Sequence, residues 1–265
     1  MIPQRYINEW RQSVAWLENY HVEQDLVISR ALVEIFSDEY LKEHLAFRGG
    51  TALHKLFANP AARYSEDIDL VQIKPEAIGE ALTRLRKVLS FIEGPMPTLD
   101  RGDVMTTLRF RFASEDNPPL NLKLKVEINC REHLAVYGLN KQDFSIKNEW
   151  YKGASQVITF QPEELLATKL RALYQRKKGR DLFDLWYSLT KMQLAPDKIV
   201  SAFHKYMEMS QRVIRRNEYL ANMDEKMNDA DFRKDIIGLL HPSITYDMDE
   251  GYALVKDSLL MLLNE

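Results

Sequence analysis

Two aspartates, Asp67 and Asp69, alternate with Ile68, Leu70 and Val71 in a run that otherwise reads as a β-strand over residues 66–73. Alternate residues of a strand project from one face, so the two carboxylates stand side by side while Ile68 and Leu70 enter the core. Strands disfavour aspartate, and like charges at this spacing raise each other's pKa, so the pair is costly without a positive partner. A hard divalent cation with oxygen ligands, Mg²⁺ or Mn²⁺, removes that cost, which makes Asp67 and Asp69 candidate metal ligands.

A third carboxylate on a neighbouring strand completes such a site, and residues 103–129 supply a candidate. Two runs, 103–113 and 120–129, flank the turn Asn117-Pro118-Pro119 and predict a hairpin. In the second run Leu120, Leu122, Leu124, Val126 and Ile128 alternate with Asn121, Lys123, Lys125, Glu127 and Asn129. One face is core, the other polar, and Glu127 lies on the polar face, poised to help activate an attacking hydroxyl.

Upstream, a short strand at Leu45-Ala46-Phe47 runs through Arg48 into Gly49-Gly50 and a helix predicted from Thr51 to about Ala58. The glycines let backbone approach a phosphate closely, and a helix N-terminus offers unpaired N–H groups to an anion. Thr51 and Ser65 add hydroxyls. Taken singly, a Gly-Gly pair is an ordinary turn and an Asp-x-Asp an ordinary solvated cap. Together they form a phosphate cradle beside a metal site, the requirement for in-line transfer of a nucleotidyl group.

The rest of the chain places this segment. Trp10, Val14, Leu17 and Tyr20 predict a helix over residues 5–20, and Leu26, Val27, Ala31, Leu32, Ile35 and Phe36 a second from Glu23 to about Leu41. A helix over 75–91 follows, the stretch 131–155 reads as irregular, and a last strand covers 156–160. Pro162-Glu163-Glu164 signals a helix start, and the pattern is helical from there to the end. This organisation suggests a core over 1–160 and a helical domain over 161–265. A single cysteine, Cys130, excludes an internal disulfide, and with no apolar run of membrane-spanning length a cytoplasmic location is expected. With a net charge of −3, any nucleic-acid binding must use a local basic patch. Lys169, Arg171, Arg176, Lys177, Lys178 and Arg180 form one candidate, for a triphosphate or a nucleic-acid backbone, against the alternative of a solvated helix face. Arg180 and Asp184 have the spacing of an i,i+4 pair. Arg212, Arg215 and Arg216 read as surface, and His54 as packing.

The sequences Phe-Arg-Gly-Gly-Thr-Ala-Leu at 47–53 and Arg-Tyr-Ser-Glu-Asp-Ile-Asp-Leu at 63–70 resemble the AbiEii/AbiGii toxin family of nucleotidyltransferases, which includes the MenT toxins. Glu23-Gln24-Asp25-Leu26 upstream, and Lys169 and Arg180-Asp181-Leu182-Phe183-Asp184-Leu185 downstream, extend the resemblance over most of the chain. It implies an α+β fold: a DNA-polymerase-β-like core with a mixed sheet, and a helical C-terminal part that completes the active site. It also implies Mg²⁺, a nucleoside triphosphate donor, the tRNA 3′ end as acceptor with arrest of translation, and a cognate antitoxin. Ser65, Asp67 and Asp69 match the family's serine and two metal aspartates, Lys169 its catalytic lysine, and Asp181 or Asp184 its later acid, with Asp181 preferred. Arg48 stands where many relatives carry lysine and keeps the positive charge. Transfer to a protein or a small molecule, or a non-catalytic module that binds nucleotide or antitoxin, are the alternatives.

Overall fold

In the computed structural model, residues 2–14 and 16–265 are described, and they fall into two compact units. Residues up to Ala135 together with Leu139–Phe160 make the first unit; Val136–Gly138 and Gln161–Glu265 make the second.

The first unit opens with α1 (Gln4–Val14), α2 (Asn19–Ser37) and α3 (Glu39–His44). The predicted helix over 5–20 is therefore two pieces. Leu17, assigned by spacing to an apolar face, is 75% exposed, and its neighbour Trp16 enters the core instead. Ala15, inside the expected helix, lies outside the described residues. The second expected helix also divides, because Asp38 leaves the helical backbone and its carboxylate accepts from Leu41 N–H to start α3.

There follow β1 (Leu45–Arg48), α4 (Gly49–Leu56), β2 (Asp67–Gln72), α5 (Gly79–Val88), β3 (Thr98–Arg101), β4 (Met105–Ala113), β5 (Asn121–Asn129), β6 (Leu139–Asn148) and β7 (Tyr151–Phe160). All seven strands join one mixed sheet in the order β3-β4-β5-β2-β1-β7-β6. β1 sits near the middle, antiparallel to β2 and parallel to β7, and β2 is parallel to β5. The hairpin expected from the Pro-Pro turn is the antiparallel β4–β5 pair. Two strands escape the sequence reading: β3, and β6 inside the supposedly irregular stretch 131–155, where it pairs with an extended β7. β6 is an edge strand whose exposure alternates residue by residue, but its less exposed positions are Asn140, Gln142, Phe144, Ile146 and Asn148, so its sequence lacks the apolar alternation that marks a half-buried strand.

Helix α2 covers the sheet, packing on β5, β6 and β7. Its buried apolar residues, among them Val22, Leu26 and Phe36, form the core with Phe47, Ile68, Leu70 and Val126. Gln24 Nε2 donates to Lys123 O at 2.8 Å, and Glu23 Oε2 accepts from Glu115 N–H at 2.9 Å, tying α2 to the β4–β5 hairpin. Lys55 of α4 reaches Asp25 at 2.9 Å and Ser29 at 2.8 Å, so the helix after the glycines is fastened to α2 as well.

The second unit contains α6 (Pro162–Gln175), α7 (Gly179–Lys191), α8 (Pro196–Met209), α9 (Arg216–Met227), α10 (Ala230–Lys234), α11 (Met248–Ser258) and a 3₁₀ turn at Leu260–Leu262. No strand occurs among its described residues, as the helical pattern after 160 predicts. Helix α6 packs on α7 and α8, and α7 on α11. The wholly buried Glu164 accepts from Val136 N–H at 2.7 Å, Tyr137 N–H at 3.0 Å and Tyr206 Oη at 2.8 Å, which holds the segment Val136–Gly138 in this unit.

Candidate active site

The parallel register of β2 on β5 sets Asp67 opposite Lys125 and Asp69 opposite Glu127, and the antiparallel register of β1 sets Arg48 opposite Asp69. Residues opposite one another share a face, so Arg48, Asp67, Asp69, Lys125 and Glu127 converge on one side of the sheet. Ile68 and Leu70 are buried on the other side.

Gly49 closes this face. Its φ is +84°, and a Cβ built there would lie 2.1 Å from Asp69 Oδ2. Only glycine takes that backbone conformation without strain and leaves room for the carboxylate. Helix α4 begins at this residue with no side-chain cap, so its first N–H groups are donors beside the acids.

Thr51 has a different place from the one its sequence position suggests. It is 1% exposed, and its hydroxyl donates to Asp67 O at 2.5 Å. Thr51 Oγ1 and Ser65 Oγ are 2.8 Å apart, and since the threonine proton is engaged, Ser65 is the donor of that bond. Thr51 is thus a buried brace that fixes both Ser65 and Asp67.

Lys125, absent from the sequence-based site, is a cation of this face that meets the acids directly. Its ammonium lies 2.9 Å from Glu127 Oε2 and 3.7 Å from Asp67 Oδ2. Burial pushes the Asp67 carboxyl up to about 6, helped by Asp69, Glu66 and Glu127 and opposed by Lys125. Burial works to lower Lys125, but the hydrogen bond to Glu127 and the charges of Asp67 and Asp69 outweigh it and leave it raised. Among the described residues no group of three or more His, Cys, Asp or Glu side chains is disposed as a complete metal cage. The donor set nevertheless suits a hard cation: all-oxygen, acidic, and already gathered about one positive group in the ammonium of Lys125. Only the parallel register exposes Lys125 as a partner of Asp67; in the sequence it is one of several polar residues alternating along a strand.

Arg48 donates to Glu132 Oε2 at 3.2 Å, and Asn129 Nδ2 donates to the same oxygen at 3.1 Å. His54 is buried, in keeping with packing.

Within the helical unit, Lys169 is a buried cation between two wholly buried acids, 3.0 Å from Asp181 Oδ1 and 2.9 Å from Asp184 Oδ2. Arg176 Nε and Nη2 donate to Asp181 at 2.7 and 2.9 Å. Burial raises the Asp181 carboxyl, but Lys169 and Arg176 prevail and hold it below its ordinary value. The expected Arg180–Asp184 pair does not form: Asp184 turns to Lys169, and Arg180 makes a two-pronged contact with Asp235, both bonds 2.9 Å. Lys177 pairs with Asp229 at 2.7 Å and Lys178 with Asp235 at 3.2 Å, while Arg171 stacks over the Tyr206 ring at 5.0 Å. Five of the six cations in the run 169–180 thus meet carboxylates of their own unit.

No curated protein matches the sequence. Among solved structures, MenT4, a nucleotidyltransferase toxin from Mycobacterium tuberculosis H37Rv, is similar with a TM-score of 0.59 and 15% identity, covering 100% of both chains. A protein from H. pylori assigned as a nucleotidyltransferase is similar with a TM-score of 0.54 and 19% identity over 93% of this chain and 95% of that one. At these identities the likeness is one of fold. The family described as "Nucleotidyl transferase AbiEii toxin, Type IV TA system" matches residues 30–253 and so takes in both the glycine segment and the paired aspartates. The chain belongs to the AbiEii family of nucleotidyltransferase toxins of type IV toxin–antitoxin systems.

Proposed function

We propose that this nucleotidyltransferase transfers a nucleoside monophosphate from a triphosphate to the 3′ end of an RNA, specifically tRNA, in a Mg²⁺- or Mn²⁺-dependent reaction that stops translation. The observation that carries the reading is the register that sets Asp69 beside Glu127 and Asp67 beside Lys125, with Gly49 against the Asp69 carboxylate.

In the reaction the acceptor 3′-oxygen forms a bond to the α-phosphorus, the α–β phosphoanhydride bond breaks, and pyrophosphate leaves. Glu127 takes the hydroxyl proton, with Lys125 fixing its carboxylate. The N–H groups of Gly49 and Gly50 hold phosphate oxygens at the start of α4, and Arg48 adds positive charge beside them. Ser65, its proton directed to Thr51, can accept from a donor such as a ribose hydroxyl. Asp67 and Asp69 are the residues that would hold a divalent ion, which when bound neutralises the phosphates and lowers the pKa of an attacking hydroxyl. Lys169, Asp181 and Arg180 keep the functional role that the resemblance implies, with Lys169 and Arg180 serving the triphosphate. The reading puts the reaction in the cytoplasm and expects a cognate antitoxin.

The test is incubation with total tRNA, Mg²⁺ and each α-labelled triphosphate in turn, with the RNA resolved on a denaturing gel. Label on tRNA from one triphosphate, lost in Asp67→Ala, supports the proposal. Label on protein instead, or label that persists in Asp67→Ala, overturns it.

A further inference from the structure

The polar face of the sheet does not end at the acids. The register arranges it in rows: Arg48, Asp69, Glu127 and Thr107 in the first; Asp67, Lys125 and Arg109 in the second; Lys123 and Arg111 in the third. From one row to the next the face changes from acidic to basic, and the last four side chains form a block of cations two strands wide. Arg109 reaches Asp100 at 3.5 Å and Lys125 is held by Glu127, but the exposed Arg111 and Lys123 have no carboxylate partner among the described residues.

Like charges directly opposite one another on antiparallel strands destabilise the pair. Here two consecutive same-face pairs, Arg109–Lys125 and Arg111–Lys123, are like-charged, on a chain whose net charge is −3. Most cations of the basic run in the helical unit meet carboxylates, whereas in this block Arg111 and Lys123 meet none among the described residues. A bound polyanion relieves the repulsion. Successive rows lie about 6.5–7 Å apart by the rise of a strand, so they offer one cation pair after another to an extended chain of phosphates. No aromatic side chain occurs in these three rows, so the surface has no base-stacking platform and suits a phosphodiester backbone read without regard to sequence.

We propose that Arg109, Arg111 and Lys123 form a track for the backbone of a single-stranded RNA acceptor, running along β4 and β5 toward Glu127. The inference rests on the reading of the carboxylate face as a site of transfer to RNA, and it adds where the acceptor lies.

The test is fluorescence anisotropy of a labelled single-stranded RNA oligonucleotide, without triphosphate, against the full chain and its R111A/K123A variant over a range of salt. The variant should bind roughly tenfold more weakly, and the slope of log K against log salt should fall by about 1.4, since each phosphate contact on a single strand contributes about 0.7. Its melting temperature should not fall, because two opposed cations are removed; R111Q/K123Q, which keeps side-chain bulk, repeats the measurement if the alanine variant does not fold. Unchanged affinity and slope overturn the track, as does wild-type protein that fails to bind RNA. Binding of polyglutamate but not RNA, lost in the variant, overturns it in favour of an acidic protein partner. RNA that binds through the track but is labelled by no triphosphate sinks the transfer reading alone, whereas RNA labelled equally well with unchanged variant affinity sinks the track alone.

Discussion

Gly49 at the start of α4 and Asp69 of β2 lie so close that a single methyl group on the glycine would stand 2.1 Å from the aspartate oxygen. Gly49→Ala must therefore shift the carboxylate or the start of α4, and it also forces alanine to a φ of +84°. A displacement of about 1 Å in a catalytic group costs on the order of 10²-fold in rate. Nucleotide transfer by Gly49→Ala should fall by about that factor, with a melting temperature only a few degrees lower. An alanine variant of wild-type activity would show that the Asp69 carboxylate need not stay where it is.

Asp67 is held at a site that disfavours its charge, with a pKa pushed up to about 6 from 3.8 by burial first and then by neighbouring acids. A carboxyl whose folded pKa is raised contributes stability below its unfolded pKa that is lost as pH rises through the folded one. Asp67→Asn removes this loss, so the variant should melt no lower than wild type at pH 8 while transfer drops at least about 10²–10³-fold. Thermal melts and a transfer assay on the same sample check the two halves separately. Activity and stability falling together would mean that Asp67 is chiefly a structural partner of Lys125.

Glu23, buried on α2, offers a second pH dependence. Burial raises its carboxyl from 4.5 to about 7 despite the Glu115 N–H bond. Its neutral form is the one the fold prefers, so its stabilising contribution is complete below about pH 4.5 and gone above about 7. Glu23→Gln keeps an acceptor for Glu115 N–H and has no charge to bury. The difference in melting temperature between variant and wild type should be near zero at pH 4.5 and rise by several degrees in the variant's favour by pH 8. A difference independent of pH would assign the effect to packing.

Lys169→Met should destabilise the helical unit as well as silence transfer. It would leave Asp181 and Asp184, both wholly buried, without the ammonium between them. Removing one partner of a buried charge cluster costs about 3–5 kcal/mol. Urea denaturation should show a loss of that order. A variant of full stability would show that the ammonium is not what holds the two buried acids in place.

Much of this site is legible in the sequence because it is local. The alternation Asp67-Ile68-Asp69-Leu70 fixes which side chains share a face, and Gly49-Gly50 between apolar strand and helix marks a close backbone approach. Glu127 is reachable by the same alternation, once β5 is assumed to pair into the sheet. Lys125 is not, since its role depends on a parallel register between strands more than fifty residues apart in the chain. Thr51 looks like a ligand because hydroxyls beside glycine turns often are, but its burial under β2 is a tertiary fact. The errors in α1 and β6 have a common origin. Leu17 is apolar and exposed, β6 is a strand and polar, and period alone mistakes both.

The capture of Val136–Gly138 by Glu164 bears on how the gene can be dissected. The chain lends three residues to its helical unit before returning to finish the sheet, so no single cut yields two self-sufficient halves. A fragment starting at Gln161 would expose or strand a carboxylate that, in the intact protein, is wholly buried and satisfied in part by the amides of Val136 and Tyr137. During synthesis, too, that segment must wait for α6 to leave the ribosome. Complementation of split halves should accordingly tolerate a break in the loop between β4 and β5 far better than one at residue 160.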